Sequence, residues 1–143
     1  MPGAELLQIS PTWLPVVALA LRRSDGLWLM HRRPADKHHG GLWEFPGGKV
    51  EPGESPRQAL VREAAEELGI RLDPTDLGAA TFADDPAHTP VVILLYTCTR
   101  WEGEPQSREG GAVSWCDADA IRALGKPPLD RVLAEAVIEL SGH

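Results

Sequence analysis

Hydrophobic residues along the chain fall into short runs typical of strands and into two stripes with helical spacing. The runs predict strands at 13–22, 27–33, 42–45, 49–51, 77–83, 91–101 and 112–116. The run at 91–101 is the strongest because it is rich in β-branched and aliphatic side chains. The Ser-Asp-Gly turn at 24–26 predicts that the first two strands form a hairpin.

The helix predicted over 56–68 carries signals at both ends. Ser55 is a good N-cap, and Gln58 three residues later completes a capping-box pattern. Pro56 suits the first helical position, and Gly69 suits the left-handed residue that ends a helix. A stripe with four-residue spacing is expected to face a core. It comprises Leu60, Ala64 and Leu68.

Two further helices are predicted near the C-terminus. Asp117 caps a short helical turn through Ala123, and a longer helix covers 130–140. The predicted apolar face of the longer helix comprises Val132, Leu133, Ala136, Val137 and Leu140. Residues 1–11 read as a lead-in and 84–90 as a loop. This order of elements predicts an α/β fold in which helices cover a mixed β-sheet.

Length and composition narrow the classes of protein. With 143 residues and 43% hydrophobic content we expect one domain over 1–143, as a monomer or small homo-oligomer. The net charge of −7 argues against a nucleic-acid polymer as partner. The apolar run 14–21 is too short to span a membrane, and the preceding residues lack lysine and arginine, so a cytoplasmic protein is expected. Cys98 and Cys116 lack metal-ligand spacing and read as core thiols.

Three carboxylates lie on one side of the 56–68 helix. Glu63, Glu66 and Glu67 have the spacing at which like charges repel, and Arg62 offsets only part of that repulsion. A solvated acidic face is the simple interpretation. A hard divalent cation with oxygen ligands would neutralise the cluster far better. The preceding Gly/Pro-rich loop adds a further acid, Glu54. Residues 47–49 add two glycines, which allow close backbone approach, and a lysine that attracts phosphate. This context favours the cation site over a solvated acidic face.

These residues resemble the Nudix box, whose pattern occupies 48–70. The matching positions are Gly48, Glu54, Arg62, Glu63, Glu66, Glu67, Gly69 and Ile70. Ala64 fills a hydrophobic slot with a smaller side chain than usual. Similarity to the MutT branch extends to 32–33, 43–46 and 100–104. The resemblance implies a Nudix α/β/α sandwich and a hydrolase acting on phosphorus-containing anhydrides.

The resemblance also implies a metal site for Mg²⁺, with Mn²⁺ as an alternative. Glu63, Glu66 and Glu67 are the implied ligands, together with the Gly47 carbonyl. Glu54 would hold a further ion or a metal-bound water.

Two further residues receive roles from the same resemblance. Arg62 would orient the carboxylates, the alternative being a surface ion pair. Glu109 matches a loop glutamate that serves as ligand or base; without the resemblance it is an ordinary loop charge. The general base stays open among Glu63, Glu54 and Glu109.

The substrate residues are less sharply defined. Arg33, which aligns with a substrate-contacting arginine of the MutT branch, and Lys49 are candidates for the phosphates. Arg33 reads equally well as a solvated strand-end arginine. Phe45 would contact the base or pack as a strand residue.

Base recognition is where this sequence departs from the MutT branch. Asp130 stands where that branch has a base-reading asparagine, and it also reads as the N-cap of the last helix. His88 stands near the place of a base-proximal arginine. His38 and His39 read as loop residues.

The predicted function is a Mg²⁺-dependent pyrophosphohydrolase that cleaves a nucleoside triphosphate to the monophosphate and pyrophosphate. The leading substrate is 8-oxo-dGTP, in cleansing of the nucleotide pool. CTP or a modified pyrimidine triphosphate is the alternative because of Asp130. A non-catalytic nucleotide-binding module and hydrolysis of capped RNA or dinucleoside polyphosphates are the remaining alternatives.

Overall fold

The computed structural model describes residues 13–85 and 90–142, so the predicted lead-in at 1–11 and His88 lie outside the described residues. The strands are β1 (Leu14–Leu21), β2 (Trp28–Arg32), β3 (Trp43–Glu44), β4 (Gly47–Lys49), β5 (Gly78–Asp84), β6 (Val91–Cys98) and β7 (Ala112–Cys116). The helices are α1 (Pro56–Leu68), α2 (Ala118–Ala123) and α3 (Pro128–Ser141), with a 3-10 turn at Pro74–Asp76.

The strands form two sheets. One is mixed, in the order β4-β1-β6-β5, with β1 and β6 parallel from Leu14–Val91 to Leu21–Cys98. The other is antiparallel, in the order β3-β2-β7. The predicted hairpin of the first two strands is wrong, since β1 and β2 lie in different sheets and meet at the single bridge Arg22–Trp28. The reason is that β4 and β6 occupy both edges of β1.

Strand β1 is the centre of the sandwich. Successive side chains of a strand point to opposite faces. Val17, Leu19 and Leu21 accordingly join the core cluster that contains residues of α1. Ala18 and Ala20 join the cluster that contains residues of α2 and α3. Burial on both faces explains why β1 reads as a continuous apolar run.

Helix α1 begins and ends where its capping residues predict. The Ser55 hydroxyl accepts from the Gln58 N–H at 3.2 Å, and the Gln58 side chain accepts from the Ser55 N–H at 2.8 Å. Gly69 has a φ of 71°, and its N–H bonds to the carbonyls of the last turn. These bonds satisfy backbone groups that a helix end leaves unpaired.

Helix α3 differs from its prediction in start and in buried face. It begins at Pro128 rather than Asp130, and Pro127 occupies the N-cap position. The N-cap interpretation of Asp130 is therefore wrong. Val132 and Leu140 are 57% and 41% exposed. The buried stripe comprises Asp130, Leu133, Ala134 and Val137. This stripe has helical spacing but starts on an acid, which a hydrophobic pattern does not reveal.

Two smaller predictions also have an outcome in the fold. Cys98 and Cys116 are buried free thiols, as expected. Within the described part of the chain, none of the helices has the length and apolar character needed to cross a bilayer.

Candidate active site

Arg62 on α1 organises the acidic cluster. Its guanidinium donates to both oxygens of Glu54, at 2.7 and 2.9 Å. It also donates to Glu63 at 2.9 Å, to Glu66 at 3.3 Å and to the Lys49 carbonyl at 3.0 Å. These bonds hold the pKa of Glu54 at about 2 and raise that of Arg62. Arg62 thereby connects the loop before α1 to two carboxylates of the helix.

Glu67 and Glu63 are the acids that the fold removes from water. Glu67 is 6% exposed, and its burial, reinforced by Glu44, Glu63 and Glu109, raises its pKa to about 8. Burial also raises the pKa of the half-buried Glu63. Ionising a buried carboxyl costs free energy unless positive charge is nearby. The pair therefore favours a cation at this position.

Gly48 allows the backbone of β4 to run against this cluster. A Cβ built at Gly48 would collide with the carboxylate of Glu63. Gly47, the predicted carbonyl ligand, is the neighbouring residue of β4 and pairs with Ala18. The glycines therefore bring the β4 backbone and the α1 acids together, and coordination by the Gly47 carbonyl stays a prediction.

The remaining predicted ligands lie at the rim. The Glu66 side chain is 57% exposed, and Glu109 lies in the exposed loop before β7. The charge of Glu109 nevertheless raises the pKa of Glu44, Glu63 and Glu67, so the loop brings Glu109 to the same cluster.

The donors of this cluster fit a hard divalent cation. They are carboxylate oxygens, the ligands that Mg²⁺ prefers in proteins. As the described residues stand, however, no three acidic, histidine or cysteine side chains are grouped closely enough to hold an ion.

A cleft of about 610 Å³ opens beside β4. It brings together the four predicted substrate residues, which come from different segments of the chain. They are Arg33, Phe45, Lys49 and Asp130. Gly47 and Gly48 line the same cleft, and since Gly48 also contacts Glu63, the cleft adjoins the acidic cluster.

Arg33 is held in place by groups that the sequence did not reveal. Its Nη1 donates to Glu44 at 2.6 Å, and its Nε donates to the His38 carbonyl at 2.6 Å. Burial raises the pKa of Glu44, while Arg33 opposes that rise. Glu44 belongs to the segment that resembles the MutT branch, but its pairing with Arg33 depends on the fold. Arg33 is thus a cation held by two neighbouring groups, with a side chain that is 33% exposed.

Asp130 and Phe45 are bonded to each other. The Phe45 N–H donates to Asp130 Oδ1 at 3.1 Å. Burial raises the pKa of Asp130 to about 7, against the opposing effect of this bond. The Phe45 ring is 3% exposed and packs in the core with α3. Phe45 therefore packs mainly as a core residue. Beside it, Asp130 contributes a carboxyl group to the lining of the cleft.

His31 on β2 is a site residue that sequence reasoning missed. It is 2% exposed, and its Nδ1 lies 3.2 Å from Glu67 Oε1. Its Nε2 lies 3.1 Å from the Ser107 hydroxyl. Burial lowers the pKa of His31 to about 4, so the ring is neutral at pH 7. The only signal in the sequence is a polar residue within a buried strand.

Comparison with known proteins defines the class. The NUDIX domain model matches residues 12–136, and the chain belongs to this family. It is 38% identical over 127 residues to a CTP pyrophosphohydrolase of Escherichia coli K12, covering 89% of this chain and 93% of that protein. It is 35% identical over 115 residues to an 8-oxo-dGTP diphosphatase of the same organism, covering 80% of this chain and 88% of that protein.

Solved structures agree with this assignment. One comes from a study of MutT from Aliivibrio salmonicida and Vibrio cholerae and superposes with a TM-score of 0.79 at 32% identity, covering 90% of this chain and 99% of the other. The solution structure of the E. coli ORF135 protein superposes with a TM-score of 0.77 at 36% sequence identity, covering 92% of this chain and 95% of the other. The chain is thus a Nudix hydrolase of MutT type, and the predicted family and α/β/α fold are confirmed. Such hydrolases act on nucleotides and generally use divalent metal ions.

Proposed function

We propose that this protein is a Mg²⁺-dependent nucleoside triphosphate pyrophosphohydrolase. It releases a nucleoside monophosphate and pyrophosphate, and it cleanses the cytoplasmic nucleotide pool of oxidised species such as 8-oxo-dGTP. The observation that carries this proposal is the acidic cluster of α1 adjoining a cleft with two cations, Arg33 and Lys49. The cleft volume of about 610 Å³ suits one nucleotide and not a polymer.

The proposed metal ligands are the carboxylates of Glu63, Glu66 and Glu67, with the Gly47 carbonyl and Glu109. A divalent cation held there would neutralise phosphate charge and lower the pKa of a bound water. Arg62 keeps Glu54 and Glu63 fixed relative to each other. Arg33 and Lys49 bind the phosphate oxygens from the cleft side. Water then attacks an inner phosphorus, a phosphoanhydride bond breaks, and pyrophosphate leaves.

The geometry also narrows the choice of general base. Both oxygens of Glu54 accept from Arg62, and one also accepts from the Glu51 N–H at 2.9 Å. A carboxylate engaged in this way is a poor acceptor for a water proton. We therefore keep Glu63 and Glu109 as candidates for the base in addition to their proposed ligand roles, and assign Glu54 to positioning Arg62.

CTP is a second candidate substrate, which Asp130 favours. Ionised, this carboxylate accepts from an exocyclic amino group such as that of cytosine. Protonated, it can also donate, as an 8-oxopurine requires. With a pKa of about 7, both forms are populated at neutral pH. Relatives named for each of these two substrates are similar to this chain, at 38% identity for the CTP pyrophosphohydrolase and 35% for the 8-oxo-dGTP diphosphatase.

A substrate panel tests the proposal. 8-oxo-dGTP, dGTP, CTP and dCTP are incubated with Mg²⁺ and the wild type, Glu67→Gln or Glu139→Gln, and products are separated. We expect pyrophosphate and a monophosphate from the wild type, and loss of roughly two orders of magnitude in Glu67→Gln. Glu139→Gln changes an exposed acid of α3 and should leave the rate unchanged. Release of orthophosphate, or an unchanged rate in Glu67→Gln, would contradict the proposal.

A further inference from the structure

A chain of polar side chains, buried at Glu67 and His31 and partly buried at Ser107, runs from the acidic cluster to the loop that carries Glu109. His31 lies between Glu67 on α1 and Ser107 in that loop, at 3.2 Å and 3.1 Å. The Ser107 hydroxyl also accepts from the Gly111 N–H at 3.0 Å. Glu109 is halfway between Ser107 and Gly111 in sequence, so this bond closes the turn on which it sits.

The contacts of His31 are compatible with a tautomer that links all three side chains. The Ser107 oxygen accepts from Gly111, which leaves its O–H free to donate to His31 Nε2. A neutral imidazole that accepts at Nε2 carries its proton on Nδ1. In this tautomer the proton of His31 faces Glu67 Oε1, at a distance of 3.2 Å between the two heavy atoms.

The last bond of the chain is close in distance but not formed. Nδ1 is buried and has no hydrogen-bond partner among the described residues, although Glu67 Oε1 is only 3.2 Å away. A buried donor without a partner costs free energy, so a small rotation of the Glu67 carboxylate that completes the bond is favourable.

We propose that His31 is a positioning residue that fixes the carboxylate of Glu67 and, through Ser107, the loop of Glu109. Both acids then face a divalent cation in one arrangement. This inference rests on the proposed function, since it assigns both glutamates to the metal. It differs from that function in naming residues that touch neither metal nor nucleotide.

Metal binding without nucleotide gives the direct test. Mn²⁺ is titrated into the metal-free protein and followed by electron paramagnetic resonance, for the wild type, His31→Leu, His31→Asn and Ser107→Ala. Losing the group that orients a ligand typically costs ~10–100-fold in metal affinity. We expect such a loss in His31→Leu and substantial recovery in His31→Asn, whose amide keeps an N–H near the Nδ1 position. We also expect kcat to fall more than KM rises.

The double variant distinguishes a connected chain from two independent effects. If the chain acts as one unit, His31→Leu combined with Ser107→Ala binds Mn²⁺ about as well as His31→Leu alone. Met30→Leu serves as the control, because Met30 is the neighbouring buried residue of β2 and packs in the other core cluster. Near-ultraviolet circular dichroism checks each fold, and if His31→Leu does not fold, Ser107→Ala and His31→Asn carry the test.

The outcomes separate this inference from the proposed function. If the wild type binds no Mn²⁺, the metal site itself is wrong. If the wild type binds Mn²⁺ and His31→Leu binds it equally well, only the role of His31 is wrong. Additive losses in the double variant would likewise overturn the connected chain.

Discussion

Asp130→Asn should stabilise the protein, and by an amount that depends on pH. The side chain is 8% exposed, and burial raises its pKa from an ordinary 3.8 to about 7. The N–H of Phe45 and the charges of Arg33 and Lys126 oppose that rise, whereas Glu44 adds to it. Asparagine has nearly the same shape, keeps an acceptor for the Phe45 N–H and cannot ionise.

The direction in which stability changes with pH depends on whether the folded or the unfolded state binds the Asp130 proton more tightly. Below about pH 4 the carboxyl is protonated in both states and changes nothing. From there to about pH 7 the unfolded chain ionises while the folded protein does not, so the wild type loses ~1.36 kcal/mol of stability for each pH unit. Above pH 7 both states are ionised and the loss stays constant. Over the whole interval it amounts to about 4 kcal/mol.

Urea unfolding at several pH values measures this effect. The five tryptophans give a fluorescence signal, and metal-free buffers from pH 4.5 to 8 cover the transition. The difference in unfolding free energy between Asp130→Asn and the wild type should grow across pH 4 to 7 and then level off. Titrating groups that do not interact with Asp130 cancel because both proteins contain them. Asp36→Asn, in an exposed loop, serves as the control substitution of the same kind.

A difference that does not change with pH would refute the reasoning, because it would mean that Asp130 titrates alike in the folded and unfolded chain. The same variant also tests base recognition. Asparagine donates and accepts at once, whereas the carboxylate only accepts. We expect kcat/KM for 8-oxo-dGTP to rise relative to CTP by roughly tenfold, the effect of one hydrogen bond. An unchanged ratio would remove Asp130 from base recognition.

Two further variants test the middle and the start of α1. Arg62→Lys keeps one positive charge but loses the paired bonds to Glu54, and we expect kcat to fall by ~10-fold or more with a small change in melting temperature. A rate like that of the wild type would mean that charge alone suffices. Ser55→Ala removes one half of the capping box and should cost ~1 kcal/mol in urea unfolding while leaving kcat unchanged. A loss of kcat without a loss of stability would contradict a purely structural role for this cap.

The sequence by itself determined the features that depend on residues close together in the chain. Ser55, Gln58 and Gly69 define both ends of α1 because capping bonds span only a few residues. The spacing of Glu63, Glu66 and Glu67 places them on one side of that helix for the same reason. The continuous apolar run of β1 likewise predicts a strand, since burial on both faces leaves no polar positions.

Only the tertiary structure decided which distant elements meet. β1 pairs with β6, although α1 lies between them in the sequence, and it does not pair with its sequence neighbour β2. The reason is that a strand has two edges, and β4 and β6 occupy both edges of β1. The inward turn of Asp130 onto the Phe45 N–H and the position of His31 beneath Glu67 follow from that packing. A buried polar residue leaves no periodic trace in a sequence, because its partner is set by geometry and not by spacing.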